Sequence, residues 1–273
     1  MAITDDLFDI SGKTAVVTGG SSGIGLMIAT GFVESGARVI ISSRKADVCA
    51  QVAGELNALA AETGRFTDLE HRPAAIALPA DLSTEGACAE LARQVMEVTG
   101  GRLDILVNNA GATWGAPFDD HDDAAWDRVL DLNVKGVFHL TRFLHEALRA
   151  AATPEDPARV INIGSVDGIH VPTLETYSYT AAKAAVHQVT RAMAKRLGPE
   201  HITVNAIAPG PFQSRMMRAT LEVAGDAIAA SIPLRRIGSD ADMAGTAIFL
   251  ASRAGAYVNA AIIPVDGGMV GTL

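Results

Sequence analysis

Two short stretches hold residue types whose spacing suits chemistry. In Tyr179-Thr180-Ala181-Ala182-Lys183 a phenol and an ammonium stand four residues apart, so a helix sets them on one face. Free tyrosine ionises near pH ~10, and a cation beside it lowers that value until the group can give and take protons near neutrality. An ordinary exposed helix pair has the same spacing. The second stretch, Thr18-Gly19-Gly20-Ser21-Ser22-Gly23-Ile24-Gly25, is a glycine-rich turn. Without Cβ atoms at Gly19, Gly23 and Gly25, backbone N–H groups can approach a pyrophosphate at the positive end of the following helix. A tight turn with close helix packing has the same composition. Nucleotide binding is favoured because the turn follows the first strand and opens a βαβ unit of about 30 residues.

The same turn also fits the G-x-S-x-G nucleophile elbow of esterases through Gly19, Ser21 and Gly23. Too little chain precedes it to supply an oxyanion loop from an earlier strand, so Ser21 falls behind as a nucleophile. Ser165 closes the run Asn162-Ile163-Gly164-Ser165 at the end of an apolar strand, where doubly wound sheets bind ligands. Its hydroxyl can hold a carbonyl oxygen or cap the turn that follows.

The elements that must position these groups read as apolar runs of strand length alternating with helical stretches. Strands are expected at Lys13–Thr18, Ala37–Ile41, Ala74–Leu78, Leu103–Val107, Arg159–Ile163, Ile202–Ala208 and Ala261–Val265. They are continuous rather than alternating, which implies a parallel sheet covered on both faces. The expected fold is α/β, a single-domain Rossmann-type doubly wound sandwich with a seven-stranded parallel sheet. One domain spans 1–273, with a dinucleotide-binding half at about 10–157 and a catalytic half at about 158–273. A helix over Ser178–Leu197 carries Val186, Val189, Met193 and Leu197 as one stripe.

With 22 Lys and Arg against 31 Asp and Glu, the formal charge is -9, a field that repels polyphosphate chains, so no nucleic-acid partner is expected. The acidic start and the absence of an apolar run of roughly 18 residues point away from signal peptide and membrane span. Cys49 and Cys88 have neither disulfide-framework nor metal-ligand spacing. A cytoplasmic protein without a metal site is expected.

In order, TGGSSGIG (Thr18 to Gly25), Asp81-Leu82, Asn108-Asn109-Ala110-Gly111, Asn133, Ser165, Tyr179-x-x-x-Lys183 and Pro209-Gly210 resemble the short-chain dehydrogenase/reductase family over nearly the whole chain. Within it the chain is similar to 3-oxoacyl-acyl-carrier-protein reductases, and NIGSVDGI and VNAIAPGPFQSRM resemble the rhamnolipid-synthesis branch. The resemblance implies that Tyr179 transfers the proton and Ser165 holds the substrate oxygen. It implies that Lys183 lowers the Tyr179 pKa and binds the nicotinamide ribose, and that Asn133 holds a water in the proton relay. It further places Asp81 and Leu82 by the adenine, Asn109 and Gly111 along the adenosine, and Ile207, Pro209, Gly210 and Ser214 around the nicotinamide. Gly19, Ser21, Ser22, Gly23, Ile24 and Gly25 would take the pyrophosphate.

Where NAD enzymes carry an acid at the end of the second strand, this chain has Ser43, followed by Arg44 and Lys45. A guanidinium there can bind a ribose 2′-phosphate, so NADP(H) is expected over NAD(H). The other reading makes Arg44 and Lys45 surface charges and Asp47 the ribose acid. The tyrosine–lysine spacing excludes the enoyl reductases, and carbonyl reduction or alcohol oxidation remains. The pocket is expected around Thr113-Trp114, Val166 to Tyr177 and Phe212 to Gly238. There Met216, Met217, Arg218, Arg235 and Arg236 are either solvated or meet an acyl carrier or CoA-linked substrate. A sugar or steroid alcohol is the alternative substrate, and a non-catalytic dinucleotide-binding regulator or an esterase the alternatives of another class. His170 and His187 are expected to be structural. Ala181, Ala185, Val189 and Met193 on the tyrosine helix suggest a homo-oligomer, by the family a homotetramer. Tyr257 to Ala261 departs from the family's usual threonine and glycine before the last strand.

Overall fold

Strand β1 (Thr14–Thr18) pairs in parallel with β2 (Arg38–Ser42) on one side and with β4 (Ile105–Asn108) on the other. The remaining strands, β3 (Ala75–Ala77), β5 (Ala158–Ile163), β6 (Ile202–Pro209) and β7 (Ile262–Val265), complete a parallel sheet of order β3-β2-β1-β4-β5-β6-β7. Every expected strand forms, its ends within two residues of the apolar run in the sequence. The computed structural model describes residues 6–214 and 217–272.

The continuous apolar strands have the cause expected of them, because successive side chains enter opposite layers. Ala15 and Val17 join Ile105, Val107, Ile161 and Ile207 under helices α1 (Gly23–Glu34) and α9 (Asp240–Ala251), which contribute Ile28, Phe32, Met243 and Leu250. Val16, Leu106, Val160 and Val204 enter the other layer with Leu91, Val95, Leu140 and Met193. Burying each large side chain of this kind is worth about 1.5–3 kcal/mol. Helix α2 (Ala46–Thr63) joins the first layer through Cys49, Val52 and Leu56; the second is built by α3 (Glu85–Thr99), α5 (Val137–Phe143), α6 (His145–Ala151) and α7 (Tyr177–Leu197), with α4 (Asp123–Leu130) and α8 (Arg218–Ser231) between strands.

The winding reverses between β1 and β4, which opens a crevice at their carboxyl ends. Helix α7 starts one residue earlier than its pattern predicts and buries a face that mixes Val186, Met193 and Leu197 with Lys183, His187 and Thr190. Val189, expected in that stripe, is only partly buried, and Ala181 is exposed. Before the last strand Ala260 adopts φ 64°, a left-handed conformation that favours glycine. Asn259 holds the turn, its Oδ1 accepting from Val204 N–H at 2.9 Å.

Candidate active site

The carboxyl ends of β1, β4, β5 and β6 converge on one side of the sheet. At the end of β1 the glycine turn is locked from beneath by Asn109, whose Nδ2 donates to the Thr18 carbonyl at 2.8 Å. The Thr18 hydroxyl accepts from the N–H groups of Asn109 and Ala110, each at 2.9 Å. Gly19 takes φ 65° and Gly23 φ 53°. A Cβ on Gly25 would come within 2.3 Å of the Gly19 carbonyl oxygen and 2.4 Å of Asn109 Nδ2. Glycine is therefore required here first by packing. Ser22 caps α1 in an extended conformation without a side-chain hydrogen bond to the helix, so its hydroxyl leaves the first-turn N–H groups to another acceptor.

At the end of β2, Ser43 is partly buried, while Arg44 and Lys45 are exposed at the start of α2. Beyond a contact with the Cys49 thiol, the Ser43 hydroxyl has no hydrogen-bond partner among the described residues. Asp47 lies exposed in the first turn of α2, further from the strand end. After β3, Asp81 is exposed and its Oδ1 accepts from Ser83 N–H at 3.2 Å, whereas Leu82 is buried in the core. Gly111 is exposed at the mouth of the crevice.

Asn133 stands in a π-helical turn, Asp131–Gly136, and is buried. Both ends of its amide are engaged, Oδ1 accepting from Ala112 N–H at 2.8 Å and Nδ2 donating to the Ala112 carbonyl at 2.9 Å. The side chain thus ties α4–α5 to the loop after β4. A relay of buried amides and hydroxyls runs beside it: Asn108 Nδ2 donates to Thr141 Oγ1 at 3.0 Å and to Asn162 Oδ1 at 2.9 Å, and Asn162 Nδ2 donates to Thr190 Oγ1 at 2.9 Å. It joins β4, β5, α5 and α7, fixing the register between the strand that leads to Ser165 and the helix that carries Tyr179.

Ser165 meets the capping reading of its position. Its Oγ accepts from Asp167 N–H at 3.1 Å, capping the 3₁₀ turn Val166–Gly168, and its hydroxyl favours the ionised form of the Tyr179 phenol. Lys183 is buried, its ammonium donates to the Ile163 carbonyl at 2.7 Å, and its Nζ lies 5.5 Å from the centre of the Tyr179 ring.

One expectation is overturned. The phenol is not brought down toward neutrality by the lysine: burial pushes it up to about 12, with the Asp167 carboxylate acting in the same direction and only Ser165 opposing. Burial also brings Lys183 down to about 8. Desolvation of a phenolate outweighs an ammonium already bonded to a backbone carbonyl.

His187, one turn past Lys183, is buried and held neutral, its pKa lowered to about 4 by burial and by Lys183. Its ring fills the space left by Gly164, where a Cβ would stand 2.2 Å from Nε2. At the far side, Pro209 is buried, and Gly210 packs on Asp266, which a Cβ would meet at 2.8 Å. Ser214 lies against the glycine turn, its Cβ 3.1 Å from where Gly23 would carry one. Of the two readings open to Phe212, pocket surface or packing, the structure takes the second: it is buried against Gly238. Trp114 remains 38% exposed under the Arg128 guanidinium, and Ile169, Val171 and Leu174 are exposed on the loop from Ser165 to α7. Arg236 forks onto Asp242, and Arg235 bonds the Ala230 carbonyl. Met216 and the Arg218 side chain lie outside the described residues.

Sequence reasoning brought together Ser165, Tyr179, Lys183, Asn133 and the glycine turn, but it missed Asp167, the Asn108–Asn162–Thr190 relay and the filling role of His187. Only the position of Asp167, two residues after Ser165, could have flagged it.

The sequence profile of the short chain dehydrogenase family matches residues 13–224. The chain is 48% identical over 263 residues to the rhamnolipids biosynthesis 3-oxoacyl-[acyl-carrier-protein] reductase of Pseudomonas aeruginosa, covering 96% of this chain and 97% of that one. It is 34% identical over 272 residues to the gluconate 5-dehydrogenase of Gluconobacter oxydans, covering 98% of each. A solved active-site complex of Pseudomonas aeruginosa RhlG with NADP superposes with a TM-score of 0.88 at 47% identity, over 97% of this chain and 98% of that one.

Proposed function

The chain belongs to the short-chain dehydrogenase family, and from that premise we propose that it is an NADP(H)-dependent reductase of 3-oxoacyl thioesters. The observation that carries the reading is the grouping of Ser165, Tyr179 and Lys183 at the end of β5, across the crevice from the glycine turn. A nicotinamide dinucleotide bound in that crevice supplies the hydride. The Ser165 hydroxyl, anchored by its bond to Asp167 N–H, orients the substrate carbonyl oxygen. Tyr179 donates the proton: an alkoxide is a far stronger base than a phenolate, so a phenol raised by burial still donates to it. Lys183 has a second task, holding the nicotinamide ribose, and the widened turn at Asn133 holds the water through which the lysine exchanges protons.

The residues fit the dinucleotide. The close packing of Gly19 and Gly25 on Asn109 fixes the turn, and Ser22 makes no side-chain cap bond to the first turn of α1, whose N–H groups can meet a phosphate. With Ser21, Ser22, Gly23 and Ile24 the turn takes the pyrophosphate. Arg44 and Lys45, exposed beside the Ser43 hydroxyl, take the 2′-phosphate. Asp81, Leu82, Asn109 and Gly111 line the adenosine, and Pro209, Gly210 and Ser214 the nicotinamide. The similarity to the rhamnolipids reductase supports the thioester, and exposed Ile169, Val171 and Leu174 supply apolar surface for an acyl chain carried on acyl carrier protein or CoA. We read residues 1–273 as one domain of a cytoplasmic homotetramer, an assembly that light scattering at micromolar concentration tests.

The deciding experiment supplies purified protein with a short 3-oxoacyl thioester and either NADPH or NADH, with Tyr179→Phe as control. Rapid NADPH loss that requires Tyr179 is the expected result. Oxidation of a sugar acid such as gluconate, with no turnover of the thioester, would replace the substrate with the one suggested by the second relative.

A further inference from the structure

The last residues of β5 and the glycine after them each meet a side chain of α7, and one of those side chains takes no part in the chemistry. Asn162 Nδ2 donates to Thr190 Oγ1 at 2.9 Å, and the Lys183 ammonium donates to the Ile163 carbonyl at 2.7 Å. Gly164 meets His187 instead. A Cβ on Gly164 would stand 2.2 Å from His187 Nε2 and 2.7 Å from Cδ2, so that edge of the ring lies on the glycine backbone. Another part of the ring faces Gly168, where a Cβ would come within 2.9 Å of His187 Cε1. His187 is 4% exposed, and its Nε2 has no hydrogen-bond partner among the described residues. The imidazole acts on both glycines by its shape.

Between the two glycines lies Ser165. Its carbonyl accepts from Gly168 N–H and its Oγ from Asp167 N–H, each at 3.1 Å, so the turn that holds the hydroxyl is closed on itself and rests on the ring at both ends. On the other side Gly164 N–H donates to the Ile207 carbonyl at 2.7 Å, which ties this point to β6. We propose that His187 is a positioning residue: wedged between Gly164 and Gly168, its ring sets the spacing between the end of β5 and α7, and so places the Ser165 hydroxyl, carried by the turn, relative to Tyr179 and Lys183, carried by the helix. The inference rests on Ser165 holding the substrate oxygen. Without the ring the turn loses its support, because a packed interior tolerates little empty space and the surrounding groups relax into it.

Gly164 makes the wedge testable. After the ring, the next atom a Cβ would meet there is the Ile207 carbonyl oxygen at 3.3 Å, so the methyl group of Gly164→Ala is opposed by His187 and fits once the ring is gone. At Gly168 a Cβ would stand 2.7 Å from the Lys183 carbonyl carbon whatever occupies position 187. The Asp167 and Gly168 amides report on the turn without any turnover, since both donate to Ser165. In His187→Ala their hydrogen exchange, resolved by mass spectrometry, speeds up by about tenfold or more, while the amides of β1 keep their rates. Adding Gly164→Ala restores slow exchange; adding Gly168→Ala does not. His187→Val, a shorter side chain that fills part of the space, serves if the alanine variant does not fold. In turnover, His187→Ala lowers kcat by about 10–100-fold with nucleotide affinity within about twofold, and Gly164→Ala in the same chain recovers most of the loss. Made in Ser165→Ala, the same substitution lowers kcat by less than about twofold, because no hydroxyl is left to misplace. Unchanged exchange in the folded variant, or faster exchange that Gly164→Ala fails to reverse, overturns the proposal, as does an equal loss of kcat with and without Ser165. Faster exchange that Gly164→Ala reverses, in a protein that reduces no thioester and oxidises no alcohol, supports the proposal and sinks the reductase reading instead.

Discussion

The two sides of the crevice achieve rigidity by opposite means. On the dinucleotide side, the turn after β1 depends on what is missing: Gly19 and Gly25 lie so close to Asn109 and to each other that no side chain fits. On the proton-transfer side, the end of β5 and helix α7 depend on what is present, a set of buried polar side chains from Asn108 through Asn162 to Thr190, with Lys183 and His187 on the same helix face. The first arrangement is a matter of sterics and is indifferent to pH. The second stores electrostatic cost, because each buried group must keep its partner or give up its charge.

The contrast is tested most strongly by Tyr179→Phe, which leaves the backbone of both sides alone. Removing the general acid lowers kcat by about 10²–10⁴-fold while nucleotide affinity, measured by fluorescence titration, stays within about twofold. Loss of nucleotide binding in that variant would show the two sides to be one cooperative unit.

Gly25→Ala is the converse. Its new methyl group collides with the Gly19 carbonyl and Asn109, and forcing it in costs about 1–3 kcal/mol. The expected outcome is a lower melting temperature and at least about tenfold weaker nucleotide binding, with no change in the pH dependence of either.

His187 sharpens the electrostatic half of the comparison. The unfolded chain protonates this ring near pH 6.5, whereas burial delays it to about 4 in the folded protein. The unfolded state therefore binds the extra proton between those values, and stability falls as pH drops through that window, by up to about 3 kcal/mol. Denaturant midpoints measured from pH 7 to pH 4 should fall less steeply in His187→Gln; parallel curves would refute the assignment.

The smallest effect is at Ala260, a left-handed position that holds a methyl group. Ala260→Gly relieves about 1 kcal/mol of strain and raises the melting temperature by a few degrees. An unchanged or lower value would mean that the chain entropy added by glycine cancels the relief.

Much of this was legible in the sequence because the information is local. Apolar runs locate the strands, and glycine spacing locates the phosphate turn. A four-residue interval places Tyr179 and Lys183 on one helix face, and an Arg-Lys pair where an acid is usual points to the 2′-phosphate. Each depends on backbone period or on the absence of a Cβ, properties that a residue carries into any context. Tertiary structure decided the rest. It reversed the expected direction of the Tyr179 pKa, because desolvation depends on every atom packed around the phenol. It turned Phe212 inward and occupied both ends of the Asn133 amide. The sequence determined which groups could do proton chemistry; the charge each of them holds was decided only when folding removed water and brought distant residues into contact.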